Sequence, residues 1–254
     1  MLSNLKAVLD RAAAVGVRRF VCNGATEADW PIVARLAQDH PEVVPAFGLH
    51  PWHIGERSDH WLRALEACLD AVPSAVGEVG LDRWIVDRQD PEQEQVFRAQ
   101  IRLAKARNRP LMIHCLRAWG WLMEVLAQEA PLPAGFMLHA YGGAPDLIQP
   151  LANMGAYFSF AGSILQENKV RQQESLRRVP RDRLLLETDA PDILPPKPFR
   201  THVMRDAAGK ECNEPANLAA IARGVAGLLG ETEDCLAQTV WDNSRRFLQT
   251  LVLP

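Results

Sequence analysis

The chain has 254 residues, about the length of one (β/α)8 barrel, and 48% of them are apolar, which is enough for a sizeable core. The formal charge of −3, from 28 basic and 31 acidic residues, argues against a protein that coats nucleic acid through a broad cationic field, although not against local binding through metal ions. Five cysteines with no CxxC pair argue against a disulfide scaffold and a zinc knuckle, and favour a reducing, cytoplasmic compartment.

The first half of the chain alternates amphipathic helices with short apolar runs. We predict helices over about 5–15, 29–40, 58–72 and 91–108, with Asp29 as a possible capping residue of the second. Strands are predicted over 18–24, 43–51 and 75–82.

The alternation continues in the second half. Strands are predicted over 110–116, 135–143, 156–163 and 183–191, with helices near 118–129, 145–155 and 166–178. The loop 192–213, rich in proline and charge, is long enough to serve as a lid or substrate wall, and helices near 215–229 and 232–248 follow it.

Seven strands in this order, with runs that suit burial on both faces, indicate a parallel sheet covered by helices. We therefore expect a TIM-like (β/α) barrel as a single domain over 1–254. A closed barrel needs eight strands. Because the sequence begins on a helix, we expect the first strand to precede residue 1.

Four of the strand-like runs end on a residue that can bind a metal ion. These residues are Glu78 in AVGEVGLD, His114 in PLMIHC, His139 in GFMLHAYGG and Asp189 in RLLLETDAP. The carboxyl ends of parallel strands meet at one end of a barrel, so these side chains are expected to converge. Two imidazoles with carboxylates suit Zn²⁺, Mn²⁺, Co²⁺ or Ni²⁺ better than an all-oxygen Mg²⁺ or Ca²⁺ site.

The structural alternative for His114 and His139 is a satisfied core or rim histidine, and the two acidic residues have alternatives of their own. Glu78 lies in an apolar strand, so it must be paired, protonated or bound to metal, and Arg83 is a possible ion-pair partner. Gly77 and Gly80 beside it allow close approach to the backbone. Asp189 is either a cap or a metal ligand and general base.

Two further residues are candidates for contact with the substrate. His50 ends the strand in VVPAFGLHP and is expected to contact a substrate phosphate or a metal-binding group. Arg117 closely follows His114 and is a candidate for pairing with an anionic substrate, the alternative being a solvated arginine at a helix start.

These motifs resemble the TatD-like metal-dependent deoxyribonucleases and hydrolases. The matching segments recur in the family's order, from about residue 5 to 248: GLHP (48–51), VGEVGLD (76–82), IHCLRA (113–118), LHAYGG (138–143), LLLETDAP (184–191) and NEP (213–215).

The resemblance implies an amidohydrolase-like TIM barrel with one to three divalent ions that hydrolyses phosphodiester bonds, often in DNA from the 3′ end. Glu78 then matches the bridging metal carboxylate, His114 and His139 match ligands of the second metal, and Asp189 matches the ligand near the attacking water. His50 matches an active-site histidine. We therefore expect one or two divalent ions (Zn, Mg, Mn, Co or Ni), with Asp189 and Glu78 as catalytic residues.

The sequence departs from the family in three places. The family opens with a strand carrying H-x-H, whereas this sequence begins on the following helix, so either the chain extends further upstream or the site is incomplete. Trp52 stands where many members have a second histidine after GLHP, and Leu116 puts one extra residue before Arg117.

The expected partner is nucleic acid or a phosphoester, with a homodimer through an exposed barrel edge as a further expectation. No apolar run approaches the roughly 20 residues of a membrane span, so we expect no membrane contact. Two alternatives remain at this point. One is amidohydrolase chemistry on a lactone, amide or small ester, and the other is a catalytically weakened barrel that serves as a binding partner.

Overall fold

The structure is a computed structural model that describes residues 5–86 and 88–251. Strands and helices alternate along these residues. The strands of the main sheet are β1 Phe20–Gly24, β2 Val43–Phe47, β3 Ala75–Asp82, β4 Leu111–Leu116, β5 Phe136–Leu138, β6 Ala156–Phe160 and β7 Leu184–Leu186. Helix α1 Leu5–Ala14 precedes β1, and between the strands lie α2 Trp30–Asp39, α3 Trp61–Ala71, α4 Asp90–Ala106, α5 Trp119–Glu129, α6 Ile148–Asn153 and α7 Val170–Arg178. The chain continues with β8 Met204–Arg205, β9 Glu211–Cys212, α8 Leu218–Leu229 and α9 Glu233–Phe247.

The seven strands form one sheet in the order β1-β2-β3-β4-β5-β6-β7, and every neighbouring pair is parallel. The sheet curls into a half-barrel, with β1 and β7 as its edges among the described residues. This confirms the predicted TIM-like class with seven strands. Since all strands run in the same direction, their carboxyl ends meet at one end of the curl.

Apolar side chains cover both faces of the sheet, as expected for parallel strands. The larger cluster packs the outer face against the helices and includes Phe47, Val76 and Phe158. The smaller cluster fills the inner face and includes Ala75 and Tyr157, together with the residues at and beyond the end of α9, Phe247, Leu248 and Leu251. The inner face is therefore packed at one end of the curl, and polar side chains gather at the other.

Some element boundaries differ from the prediction. β5 ends at Leu138 and β7 at Leu186, so His139 and Asp189 lie just beyond their strands. The helix predicted from 166 begins at Val170, after a 3-10 turn, and the loop 192–213 carries the antiparallel β8–β9 hairpin. Asp29 precedes α2 but makes no side-chain cap, because its carboxylate binds Thr26 instead. The described residues contain no helix with the length and apolarity needed to cross a bilayer.

Candidate metal centre and active site

Glu78 lies between two histidines from neighbouring strand ends. Its Oε1 is 3.1 Å from Nδ1 of His114 and 3.9 Å from Nε2 of His50. Ligand atoms of these three residues all lie within 4.8 Å of one another. The structure therefore brings together Glu78, His114 and His50, which the sequence placed on three consecutive strands.

His114 is held from its other side by Asp82. The Nε2 atom of His114 is 2.9 Å from Oδ2 of Asp82, a residue with no solvent exposure. Asp82 also accepts hydrogen bonds from the indole of Trp52 at 2.6 Å and the backbone N–H of Trp84 at 2.5 Å. With Nε2 donating to Asp82, the Nδ1 atom of His114 faces Glu78, and this is the arrangement by which a carboxylate orients a metal-binding histidine.

His139, which follows β5, likewise lies between two carboxylates, and both of these follow β7. Its Nδ1 is 3.0 Å from Oε2 of Glu187, and its Nε2 is 3.3 Å from Oδ1 of Asp189. Glu187 also accepts hydrogen bonds from the backbone N–H of Ala140 at 2.6 Å and the hydroxyl of Ser159 at 2.7 Å. Glu187 thus fixes the ring of His139 and turns its other nitrogen toward Asp189.

The backbone around Asp189 is held by an amide side chain from the NEP segment. Asp189 has a φ of +56°, in the left-handed region. The side-chain amide of Asn213 donates to the carbonyls of Thr188 and Ile193, at 2.7 Å each. These two bonds bracket Asp189, so the buried Asn213 stabilises the turn that brings the carboxylate to His139.

His50 presents a hydrogen-bond donor to the cluster. Its Nδ1 accepts from the backbone N–H of Trp52 at 3.2 Å, so the neutral ring carries its proton on Nε2, the atom that faces Glu78. Burial and the nearby charge of His114 lower the pKa of His50 to about 3. A neutral Nε2–H suits contact with a phosphate oxygen better than metal ligation.

The two central carboxyls are ionised. Burial alone would raise the pKa of Glu78, but the charges of His139 and His114 lower it to about 2. Burial would likewise raise the pKa of Asp82, and the hydrogen bonds from His114 and Trp52 lower it to about 2.

The pKa values of His114 and His139 shift in the opposite direction, upward. Burial would lower the pKa of His114 and His139, but both are raised by their carboxylate neighbours, and the pKa of His139 is raised well above its ordinary value. The carboxylates around the two rings therefore favour positive charge on both histidines.

Among the described residues, the group whose ligand atoms lie close enough together for one ion is Glu78, His114 and His50, and the predicted ligands His139 and Asp189 lie outside that group. Glu78 and Asp189 offer carboxylate oxygens, while His114 offers Nδ1 and His139 offers Nε2, each with its second nitrogen held by a buried or partly buried carboxylate. Mixed nitrogen and oxygen ligands suit Zn²⁺, Mn²⁺, Co²⁺ or Ni²⁺. A cavity of about 530 Å³ near Arg83, Glu94 and Trp121 contains none of these residues.

One interpretation from the sequence is corrected. Arg83 is not the partner of Glu78, because its guanidinium pairs with Asp90 at 3.2 Å. Arg117 lies over the ring of Trp84, with its Cζ 4.0 Å from the ring centroid, and is exposed, and its pairing with an anionic substrate stays a prediction.

Asp82 and Glu187 are the functional candidates that sequence reasoning missed. Asp82 ends the GEVGLD segment, four residues after Glu78, and Glu187 precedes Asp189 by two. Glu187 and Asp189 both contact His139. Nothing in the sequence pairs Asp82 with His114, because that contact depends on how β3 and β4 align.

Comparison with known proteins gives consistent matches over nearly the whole chain. The family described as TatD related DNase matches residues 2–249. The uncharacterized metal-dependent hydrolase YabD of Bacillus subtilis is 32% identical, covering 97% of this chain and 93% of its own length. The 3'-5' ssDNA/RNA exonuclease TatD of Pantoea vagans is 33% identical, with 96% and 92% covered. The crystal structure of YJJV, a TatD homolog from Escherichia coli K12, has a TM-score of 0.87 at 26% identity, with 99% and 93% covered.

Proposed function

Since this chain belongs to the TatD family of metal-dependent hydrolases, we propose that it cleaves phosphodiester bonds of single-stranded nucleic acid. The observation that carries the proposal is the paired arrangement of His114 and His139. Each ring has one nitrogen held by a carboxylate and the other turned toward Glu78 or Asp189. The relatives named as nucleases supply the substrate class.

Four side chains are proposed to hold the metal: Glu78, His114, His139 and Asp189. A divalent cation, when bound, supplies Lewis acidity that polarises a phosphoryl oxygen and makes water a better nucleophile near neutral pH. Asp189 is partly exposed, with 23% of its side chain accessible, so it has access to water and is positioned as the base that takes a proton from it. His50 donates from Nε2 to a phosphate oxygen and orients the substrate.

The test uses purified protein, stripped of metal with a chelator and reloaded with Mn²⁺, Co²⁺, Zn²⁺ or Mg²⁺. A 5′-fluorescein-labelled single-stranded DNA 12-mer, its RNA counterpart and a duplex are separated on a denaturing gel over time. We expect cleavage of the single strands with at least one of the metals. The conservative variants Glu78→Gln and Asp189→Asn should lose more than about 100-fold in kcat/KM, because each removes a charge that the reaction uses.

Asp234→Asn is the matched control, since Asp234 is an exposed carboxylate at the start of α9. It should retain full activity. The proposal fails if the reloaded protein cleaves none of these substrates, or if the Glu78 and Asp189 variants cleave as fast as the control. The metal identity, the cytoplasmic location and the homodimer stay predictions.

A further inference from the structure

Two exposed tryptophans follow strands at the same end of the sheet as the histidine cluster. Among the described residues, Trp52, Trp84 and Trp241 are the exposed tryptophans; Trp52 lies in the 3-10 turn after β2, and Trp84 lies just after β3. Trp52 is 55% exposed and Trp84 is 58% exposed. Indole rings are usually buried against apolar neighbours, so two exposed rings beside a polar site indicate a binding role.

Both tryptophans donate a hydrogen bond to the carboxylate of Asp82, which orients His114. Oδ2 of Asp82 accepts from the indole N–H of Trp52, while Oδ1 accepts from the backbone N–H of Trp84. Oδ2 is also the atom that holds Nε2 of His114. The ring centroid of Trp52 is 6.4 Å from that of His114. One buried carboxylate therefore holds the proposed metal ligand, the indole of Trp52 and the backbone of Trp84.

Arg117 adds a positive charge to this group. It comes directly after β4, the strand beside β3, and its guanidinium lies over Trp84 with Cζ 4.0 Å from the ring centroid. Arg117 is exposed, so its guanidinium is accessible to a phosphate. In a protein with a formal charge of −3, attraction to a polyanion has to be local, and Arg117 provides it beside the cluster.

We propose that Trp52 and the Trp84–Arg117 pair form a base-stacking subsite for the nucleotides that flank the scissile phosphate. The inference rests on the proposed function and adds the residues that select the substrate. Stacking on an indole needs a free base face, and the bases of a duplex are stacked on each other, so the subsite accepts unpaired ends and single strands. A small phosphoester without a base gains nothing from it.

The experiment compares two substrates and two pairs of variants. One substrate is a single-stranded dT 12-mer, and the other is the same oligomer with abasic residues at its two 3′-terminal positions. Trp84→Ala and Arg117→Ala are tested against Trp241→Ala and Arg245→Ala, which replace exposed residues of α9. Trp52→Phe is added, since it keeps an aromatic ring but lacks the N–H that binds Asp82.

We expect Trp84→Ala to lower kcat/KM on the intact oligomer by about 5- to 150-fold, the usual range for loss of one base–aromatic stack. On the abasic oligomer, wild type and Trp84→Ala should be equal. Fluorescence anisotropy with EDTA present measures binding without turnover. The affinity of Trp84→Ala and Arg117→Ala for the intact oligomer should fall there as well, while the α9 variants match wild type.

The outcomes separate this inference from the proposed function. If wild type neither binds nor cleaves any oligomer, the proposed function fails and the subsite with it. If wild type cleaves the intact oligomer and Trp84→Ala and Arg117→Ala cleave and bind it equally well, the subsite alone is overturned. An equal loss on both oligomers also overturns it, because it shows that Trp84 supports the fold of the loop. Replacing dT with rU distinguishes DNA from RNA.

Discussion

At the scale of single residues, His114 and His139 each lie between two carboxylates, so a proton on both ring nitrogens stabilises the metal-free site. The partners are Glu78 and Asp82 for His114, and Glu187 and Asp189 for His139. The raised pKa of both histidines follows from this geometry. Because these pKa values are raised in the folded state, their contribution to stability is fully present below the ordinary histidine value of about 6.5. It is lost as the pH rises through the raised values.

This arrangement predicts that protons and metal compete for the same ring nitrogens. Metal affinity should increase between pH 6 and pH 9, by up to about tenfold per pH unit for each proton displaced. Titration calorimetry with Mn²⁺ or Co²⁺, repeated in buffers of different ionisation enthalpy, measures both the affinity and the protons released. Equal affinities at pH 6 and pH 9, with no proton release, would contradict the assignment of His114 and His139 as ligands.

At the scale of secondary structure elements, β3 departs from regular pairing where it carries Glu78. Its register with β4 shifts between Val76 and Val79. Gly77 and Gly80 flank Glu78, and a Cβ at Gly80 would lie 1.9 Å from the carbonyl oxygen of His114. The prediction that these glycines permit close approach to the backbone is thereby confirmed. The irregular segment and the absence of two side chains allow β3 to bring Glu78 beside His114.

Gly80→Ala should therefore disrupt both the fold and the site. The new methyl group collides with the backbone of β4, and a φ of +152° is unfavourable for alanine, so we expect a loss of about 3 kcal/mol or more in the free energy of unfolding. Gly120→Ala on α5 is the control, because a Cβ there meets no atom within 4 Å. It should be neutral or stabilise by up to about 1 kcal/mol. Urea denaturation followed by circular dichroism measures both, and equal midpoints would refute the explanation.

The convergence of the strand ends could be predicted, because the last residues of parallel strands lie at the same edge of the sheet whatever the details of packing. That is why Glu78, His114, His139 and Asp189 could be named from local patterns. The contacts of Asp82 could not, because they join residues from three elements whose alignment depends on tertiary packing. The position of Arg117 over Trp84 could not be predicted either. Arg117 follows β4 and has a φ of +56°, which no apolar pattern indicates.

At the scale of the whole molecule, an ion pair joins the first described helix to the segment before α8. Arg11 on α1 binds Glu214 through two hydrogen bonds, Nε to Oε1 at 2.9 Å and a terminal nitrogen to Oε2 at 2.6 Å. The Glu214 side chain is 1% exposed and that of Arg11 is 40% exposed. The same segment contains Asn213, which supports the turn at Asp189. The pair thus links α1 to the part of the chain that positions a candidate catalytic residue.

Arg11→Ala should leave Glu214 charged and buried without this partner. Loss of one member of a buried pair costs about 3–5 kcal/mol, and since Arg11 is partly exposed we expect the effect to be smaller, about 2–3 kcal/mol. The melting temperature should fall by roughly 5–10 °C, as measured by calorimetry. Lys6→Ala is the control on the same helix, because the Lys6–Asp10 pair is exposed and worth no more than about 1 kcal/mol. Glu214→Gln added to Arg11→Ala should recover part of the loss, since an amide leaves no buried charge. Equal melting temperatures for Arg11→Ala and Lys6→Ala would show that the pair does not hold α1 in place.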